Sequence, residues 1–135
     1  MKILIINGPN LNLLGTREPE IYGTTTMEDC LAQLRSTYTS HEILYFQSNH
    51  EGAIIDRIQE VNYDALIVNM GAFTHYSYAI ADALKNVNLP KVEVHISNIY
   101  KREEFRQKSV TAAYTDAILS GFGLKGYQLA IDSLL

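Results

Sequence analysis

Glu93 and His95 are the two residues of this sequence best suited to acid–base chemistry, because they stand two residues apart in the run 91–95, KVEVH. If that run is a β-strand, both side chains lie on one face, since side chains alternate along a strand with a period of two. A carboxylate beside an imidazole can fix its tautomer and favour the protonated ring. The spacing therefore indicates a general acid, and the alternative is a solvent-facing pair at a strand end.

A long segment after the first apolar run carries two more candidates, Arg17 and Tyr22, within NGPNLNLLGTREPEIYG (Asn7 to Gly23). It is far longer than the roughly 2–6 residues usual between a strand and a helix, and it is too apolar for a solvated linker. We therefore expect an ordered active-site lid. Within it, the amide of Asn10 either belongs to a simple turn or holds a water or a developing oxyanion.

His75 follows the sequence GAFT at the predicted start of a helix, where the helix dipole disfavours a cationic ring. We expect a neutral hydrogen-bonding partner or a helix cap at this position. After the fourth predicted strand, Ile96, Ser97 and Asn98 offer successive backbone N–H groups that suit a carboxylate.

Other reactive side chains have structural interpretations. Arg102 and Arg106 lie one turn apart in a charged stretch, for which a solvated helix face is the default. His50 and Glu51 stand where a helix begins, and its dipole favours the acidic side chain. Cys30 falls on the apolar stripe of a predicted helix, so we expect a core residue.

Strand and helix signals alternate along the chain and place these candidates. The predicted strands are 3–6, 43–47, 65–69, 91–95 and 116–119, and the predicted helices are 27–38, 52–61, 76–86, 102–108 and 124–134. Thr25 and Glu28 form a predicted capping box for the first helix. In the second helix, Val61 is expected to face inward with Ile54, Ile55 and Ile58.

The alternation predicts one α/β domain over residues 1–135. Five strands joined by right-handed crossovers form a flavodoxin-like three-layer sandwich, a parallel sheet with helices on both faces. The strand order 2-1-3-4-5 is typical of such a domain. The polar candidates then gather at the carboxyl ends of the strands, where open α/β sheets bind ligands.

The charge composition argues against one functional class. Eleven basic and fifteen acidic residues give a net charge of −4, which argues against nucleic-acid binding.

The sequence also lacks the motifs of several other classes. We find no membrane-length apolar run, signal peptide, zinc-ligand spacing or serine nucleophile elbow. No phosphate-binding glycine motif follows the first strand. We therefore expect a cytoplasmic protein that performs acid–base chemistry without a metal or cofactor.

Five ordered motifs now identify a resemblance. NGPNLNLLGTREPEIYG, FQSNHEG (46–52), GAFTHYS (71–77), EVHISN (93–98) and GYQLA (126–130) together resemble type II 3-dehydroquinate dehydratase over essentially the whole chain. The resemblance implies dehydration of 3-dehydroquinate to 3-dehydroshikimate through an enolate, in the shikimate pathway of aromatic amino acid biosynthesis or in quinate breakdown. It also implies a cofactor-free homo-oligomer, a dodecamer built from four trimers.

The resemblance further implies roles for individual residues. Tyr22 would be the base as a tyrosinate favoured by Arg17, Asn10 would hold a water on the enolate, and His95, oriented by Glu93, would protonate the departing hydroxyl. The implied substrate-binding residues are Asn69, His75, Arg106, the Ile96 and Ser97 amides, and Asp82 from a neighbouring subunit. Met70 replaces the proline common in the family, and Tyr76 and Tyr78 are bulkier than its usual residues.

Three other classes of protein remain as alternatives. A flavodoxin-like mononucleotide carrier or receiver domain would need a phosphate-binding loop or an acidic pocket after the first strand, where this chain has Asn-Gly-Pro-Asn. A catalytically dead assembly subunit would lack a catalytic residue. An enzyme that forms a lysine imine would need a buried lysine and belongs to an unrelated fold.

Overall fold

Five short strands rich in aliphatic residues pair into one parallel sheet in the computed structural model, which describes residues 1–16, 20 and 24–135. The strands are β1 (Lys2–Asn7), β2 (Glu42–Gln47), β3 (Ala65–Asn69), β4 (Lys91–His95) and β5 (Ala117–Ser120). Their order, β2-β1-β3-β4-β5, confirms the predicted topology. Arg17 and Tyr22 lie outside the described residues.

Helices cover both faces of the sheet, because successive strand residues point to opposite faces. The α-helices of the described residues are α1 (Met27–Thr37), α2 (Glu51–Gln59), α3 (Tyr78–Lys85) and α4 (Lys125–Leu134). One core joins Ile3 and Ile5 of β1 to α1 and α4, and the other joins Leu4 and Ile6 to α2 and α3. Cys30 is buried in the first core, as predicted. None of the described helices is long and apolar enough to cross a membrane.

The predicted capping box is wrong by one residue. The Thr26 hydroxyl accepts a hydrogen bond from the Asp29 amide at 3.1 Å, and the Asp29 carboxylate accepts one from the Thr26 amide at 3.3 Å. The sequence offers two overlapping pairs, Thr25 with Glu28 and Thr26 with Asp29. The second pair forms the capping box because α1 begins at Met27, which is buried with Cys30.

Two helix predictions are wrong. Val61 is 57% exposed rather than inward, because α2 ends at Gln59 and the chain turns before reaching it. The charged stretch 102–108 is not an α-helix: it contains a single 3₁₀ turn, Glu104–Arg106, preceded by another at Ile99–Lys101. Further 3₁₀ turns occupy Leu11–Leu13, Gly71–His75 and Ala112–Tyr114.

Close packing joins the loops that follow β1 and β3. The Gly8 amide donates to the Asn69 carbonyl at 2.7 Å. A Cβ on Gly8 would lie only 2.2 Å from the Met70 carbonyl oxygen, so only glycine fits here. Leu11 and Leu14 are buried in the first core, which ties the beginning of the long segment to the sheet edge.

Candidate active site

Glu93 and His95 meet at the carboxyl end of β4. Glu93 Oε2 lies 2.7 Å from His95 Nε2, and the two residues are 0% and 6% exposed. The predicted pairing along the strand is confirmed, and the solvent-facing alternative is wrong. Because His95 Nε2 is held by the carboxylate, the ring carries its proton there when neutral.

The Glu93 carboxylate is kept ionised by its neighbours. Burial alone raises its pKa, but the hydrogen bond and charge of His95, with hydrogen bonds from the Thr111 and Ser109 hydroxyls, hold the pKa of Glu93 below its ordinary value. A buried carboxylate is stable only when it is paired and hydrogen-bonded in this way. The ionised carboxylate can therefore accept the Nε2 proton of His95 and fix the orientation of the ring.

A cleft opens above this pair. Its described lining combines the end of β4 with the loops after β1 and β3 and the turns that follow β4: Pro9, Asn10, Leu11, Leu13, Leu14, Asn69, Gly71, Ala72, His75, His95, Ile96, Ser97, Ile99, Arg102 and Arg106. No acidic residue occurs in this described lining, although the whole chain carries a net charge of −4. The cleft is therefore suited to an anion.

Arg102 and Arg106 reach the cleft because the chain folds back after β4 in 3₁₀ turns. Arg102 Nη1 donates to Ser97 Oγ at 3.2 Å, and Arg106 Nε donates to Glu103 Oε2 at 3.0 Å. The interpretation of both arginines as a solvated helix face is wrong. It failed because it assumed a continuous α-helix, which would have set their directions by helical spacing alone.

His75 ends a 3₁₀ turn rather than beginning a helix, since α3 starts only at Tyr78. Its Nδ1 lies 2.7 Å from the Lys108 carbonyl oxygen, so Nδ1 carries the proton. Burial lowers the pKa of His75, and the nearby charges of His95 and Arg106 act in the same direction. A neutral ring was expected, but the helix-dipole reason for it is wrong.

Asn10 is held in an unusual backbone conformation at the cleft. Its φ of 69° is left-handed, a region that asparagine tolerates better than most residues. The backbone N–H of Asn10 donates a hydrogen bond to Asn49 Oδ1 at 3.0 Å. Gln47 Nε2 donates to the same oxygen at 3.2 Å and to the Gly8 carbonyl at 3.1 Å. The end of β2 therefore orients the loop that presents Asn10.

A series of side-chain hydrogen bonds behind the cleft positions Asn69. Its Nδ2 donates to the Tyr127 hydroxyl at 3.1 Å, and that hydroxyl donates to Asn7 Oδ1 at 2.7 Å. Asn7 Nδ2 in turn donates to the Tyr45 hydroxyl at 3.2 Å. Asn69 Oδ1 accepts from the Gly71 amide at 3.3 Å. Both ends of the Asn69 amide group thus have partners that fix its orientation.

The other predicted site residues fall in three places. Ile96 and Ser97 line the cleft directly after β4. Asp82 is exposed on α3 and is not part of the described lining. Arg17 and Tyr22 lie outside the described residues, on the segment whose beginning lines the cleft. Within the described part of the chain, no group of three His, Cys, Asp or Glu residues could hold a metal ion.

Sequence reasoning missed the residues that support the cleft from behind. Ser109 and Thr111 contact Glu93, and Tyr127 contacts Asn69, yet none of them was singled out. Tyr127 stands inside the GYQLA motif, which carries the resemblance but by itself predicts no role for this residue. Ser109 and Thr111 gave no comparable signal, because hydroxyl residues are common in any exposed turn.

Comparisons with known proteins agree with this architecture. The family model described as "Dehydroquinase class II" matches residues 1–135. A 3-dehydroquinate dehydratase from Thermotoga maritima is 54% identical over 134 residues, covering 98% of this chain and 93% of that protein. A relative of the same name from Clostridium botulinum is 53% identical over 137 residues, covering 98% and 93%.

Solved structures give the same result. The type II dehydroquinase from Butyrivibrio crossotus superposes with a TM-score of 0.96 at 53% identity, covering 99% of this chain and 97% of that one. The enzyme from Propionibacterium acnes gives a TM-score of 0.94 at 44% identity, covering 98% and 94%. The family match over residues 1–135 and the 54% and 53% identities to the two named dehydratases show that this chain belongs to the class II dehydroquinase family.

Proposed function

We propose that this protein is a 3-dehydroquinate dehydratase whose single catalytic domain spans residues 1–135. It removes water from 3-dehydroquinate to give 3-dehydroshikimate, by anti elimination through an enolate and without a cofactor. The observation that carries this proposal is the buried Glu93–His95 pair at the base of a cationic cleft in a chain of this family. An acidic substrate with a leaving hydroxyl fits those two features.

The base in this proposal is Tyr22, which acts as a tyrosinate and removes the proton at C2, beside the ketone. A proton next to a carbonyl is acidified because its removal leaves an enolate. The guanidinium of Arg17 on the same segment favours the anionic tyrosine through its charge, an interaction that grows as water is excluded. The beginning of this segment lines the cleft, through Pro9, Asn10, Leu11, Leu13 and Leu14.

Asn10 holds the water that stabilises the developing enolate oxygen. Preorganised donors aimed at a developing oxyanion are among the strongest contributors to catalysis, because they need no reorganisation during the reaction. The left-handed backbone of Asn10 and its hydrogen bond to Asn49 support such a fixed direction.

His95 is the general acid that protonates the departing C1 hydroxyl. Its Nε2 is engaged by Glu93, so Nδ1 is the atom that delivers the proton. Glu93 does not touch the substrate: it fixes the tautomer and the orientation of the ring. General acid and base steps each contribute about 10²–10⁴ in rate.

Substrate binding uses the rest of the cleft. The backbone amides of Ile96 and Ser97 take the carboxylate, while Asn69, His75 and Arg106 bind hydroxyl groups. Asp82 reaches a neighbouring subunit's cleft, which accords with its exposed position on α3. The assembly is a cytoplasmic homo-oligomer, a dodecamer of four trimers, and its mass can be read by light scattering. The biological setting is the shikimate pathway or quinate breakdown.

The direct experiment mixes purified protein with 3-dehydroquinate and follows the ultraviolet absorbance of the conjugated product. Parallel reactions contain a chelator or borohydride, which would stop a metal-dependent or an imine-forming enzyme. We expect turnover that survives both reagents, and a Tyr22→Phe variant that folds and binds substrate but hardly turns over. A folded wild-type oligomer without turnover would overturn the proposal.

A further inference from the structure

One short segment, residues 108–111, contacts His75 directly and contacts Glu93, the hydrogen-bond partner of His95. The Lys108 carbonyl accepts the Nδ1 proton of His75 at 2.7 Å. One residue later, Ser109 Oγ donates to Glu93 Oε2 at 2.8 Å, and Thr111 Oγ1 donates to Glu93 Oε1. Each oxygen of the buried carboxylate therefore has a hydroxyl donor from this segment.

The segment is fixed by the fold rather than by the carboxylate alone. Between the two hydroxyl residues, the Val110 amide donates to the Thr74 carbonyl at 2.9 Å, which anchors the segment on the turn before His75. The Ala112 amide donates to Ser109 Oγ at 3.0 Å. Ser109 Oγ thus accepts from the Ala112 amide while it donates its own proton to Glu93.

Because Glu93 is buried, the loss of either hydroxyl donor should be costly. Glu93 and Thr111 are both 0% exposed, so no bulk water can replace a lost donor. A buried acceptor that loses its partner pays its full desolvation cost, which is larger for a charged group than for a neutral one. The hydroxyls also fix the orientation of the Glu93 carboxylate. Its Oε2 faces His95 Nε2, while Thr111 holds its Oε1.

We propose that Ser109 and Thr111 are positioning residues for the general acid: they hold the Glu93 carboxylate in the orientation that fixes the His95 ring. Neither residue lines the described part of the cleft, so both act through Glu93. The proposal rests on the proposed function, in which His95 delivers a proton.

The same contacts predict a pH signature. The donors from Thr111 and Ser109 help to lower the pKa of Glu93. Among the described residues, His75 on the turn after β3 also interacts electrostatically with Glu93 and His95, and Arg106 interacts with His75. Loss of a hydroxyl donor leaves Glu93 easier to protonate, so activity should fail at a higher pH on the acid side.

The experiment compares four variants of the full-length protein with 3-dehydroquinate as substrate. Thr111→Val keeps the shape but removes the hydroxyl, Ser109→Ala removes the second donor, and Thr111→Ser restores a hydroxyl. Thr115→Val is the matched control, because it loses one hydroxyl hydrogen bond, to the Ala112 carbonyl, away from Glu93.

We expect kcat to fall in Thr111→Val by about 10–100-fold, the usual range for a hydrogen bond to a charged group, with KM within about twofold of wild type. The acid limb of the kcat profile moves to higher pH, and Thr111→Ser restores both. If Thr111→Val matches the Thr115→Val control in kcat and in its acid limb, the proposal is wrong. If Thr111→Val fails to fold, Ser109→Ala takes its place.

A second readout separates this proposal from the proposed function. Nitrogen-15 NMR of labelled histidine reports which ring nitrogen of His95 carries the proton, whether or not the protein turns over substrate. Wild type should show one tautomer, protonated at Nε2, and Thr111→Val should show a mixture. Identical His95 spectra in the two proteins would overturn the positioning role, even in a protein that lacks dehydratase activity.

Discussion

Tyr127 and Asn7, 120 residues apart in the chain, share a 2.7 Å hydrogen bond directly behind the cleft. The Tyr127 hydroxyl also accepts from Asn69, so this contact connects α4 to the ends of β1 and β3. Tyr127 is fully buried. A single hydroxyl therefore supports both the stability of the fold and the orientation of a residue in the cleft.

Tyr127→Phe should consequently affect stability and binding together. The ring stays packed, but the amide groups of Asn7 and Asn69 each lose a buried partner, which costs about 1–3 kcal/mol of unfolding free energy. Asn69 then samples other orientations, so KM for 3-dehydroquinate should rise more than kcat falls. Urea unfolding and steady-state kinetics measure the two effects.

Tyr38→Phe is the control for that experiment. The Tyr38 hydroxyl donates to Asp132 Oδ1 at 2.5 Å near the other end of α4. Its loss should lower stability without raising KM. Equal KM values for the Tyr127 and Tyr38 variants would show that the buried chain behind Asn69 does not position it.

Removal of a cleft cation should weaken binding in a salt-dependent manner. Arg106→Gln should raise KM about 10–100-fold, because charged hydrogen bonds contribute about 1.5–3 kcal/mol each. Arg57→Gln removes the same charge from the end of α2, where Arg57 contacts the Glu60 carbonyl and Asn62. This control should leave KM unchanged. Wild-type KM should also rise with ionic strength, and a salt-independent KM would contradict electrostatic recognition.

His75 should make stability depend on pH. Its pKa is lowered from 6.5 in the folded protein, chiefly by burial. The unfolded chain then binds a proton more readily than the folded one, so this contribution to stability is lost as the pH falls below about 6.5. Urea unfolding between pH 5 and 8 should show wild type losing stability relative to His75→Gln on the acid side. A constant difference would contradict a neutral His75.

Two glycine-to-alanine changes should have opposite signs. Gly8→Ala places a Cβ 2.2 Å from the backbone oxygen of Met70, so it should destabilise by at least about 1–3 kcal/mol, the usual cost of overpacking. Gly52→Ala lies in α2, where a Cβ meets nothing within 4 Å. It should stabilise by about 0.5–1 kcal/mol. Thermal unfolding compares them, and a neutral Gly8→Ala would show that the two loops can separate.

The fold was predictable because its signals are local. The boundaries of β3 and β4 agree with the predicted strands 65–69 and 91–95, since the side-chain period and the β-branched residues both act within a few residues. The capping box at Thr26 was missed by one position because two overlapping pairs compete for one helix start. The stretch 102–108 failed because its charges allow a helix but do not provide the apolar stripe that would pack one.

The cleft was predictable only in part for a related reason. Glu93 and His95 are neighbours in sequence, so the strand period alone brought them together. The contact between Asn69 and Tyr127 spans 58 residues and depends on how α4 crosses the sheet. The contact of Thr111 with Glu93 likewise depends on how the chain folds back after β4, which no local sequence pattern predicts.

The division of roles between Tyr22 and His95 is tested most directly by proton NMR of 3-dehydroquinate in heavy water with a His95→Gln variant. This variant should exchange the C2 proton for deuterium faster than buffer alone, because the base still forms the enolate. It should accumulate almost no 3-dehydroshikimate, because the C1 hydroxyl lacks its proton donor. Product formation near the wild-type rate, or no exchange above the rate in buffer, would contradict the account.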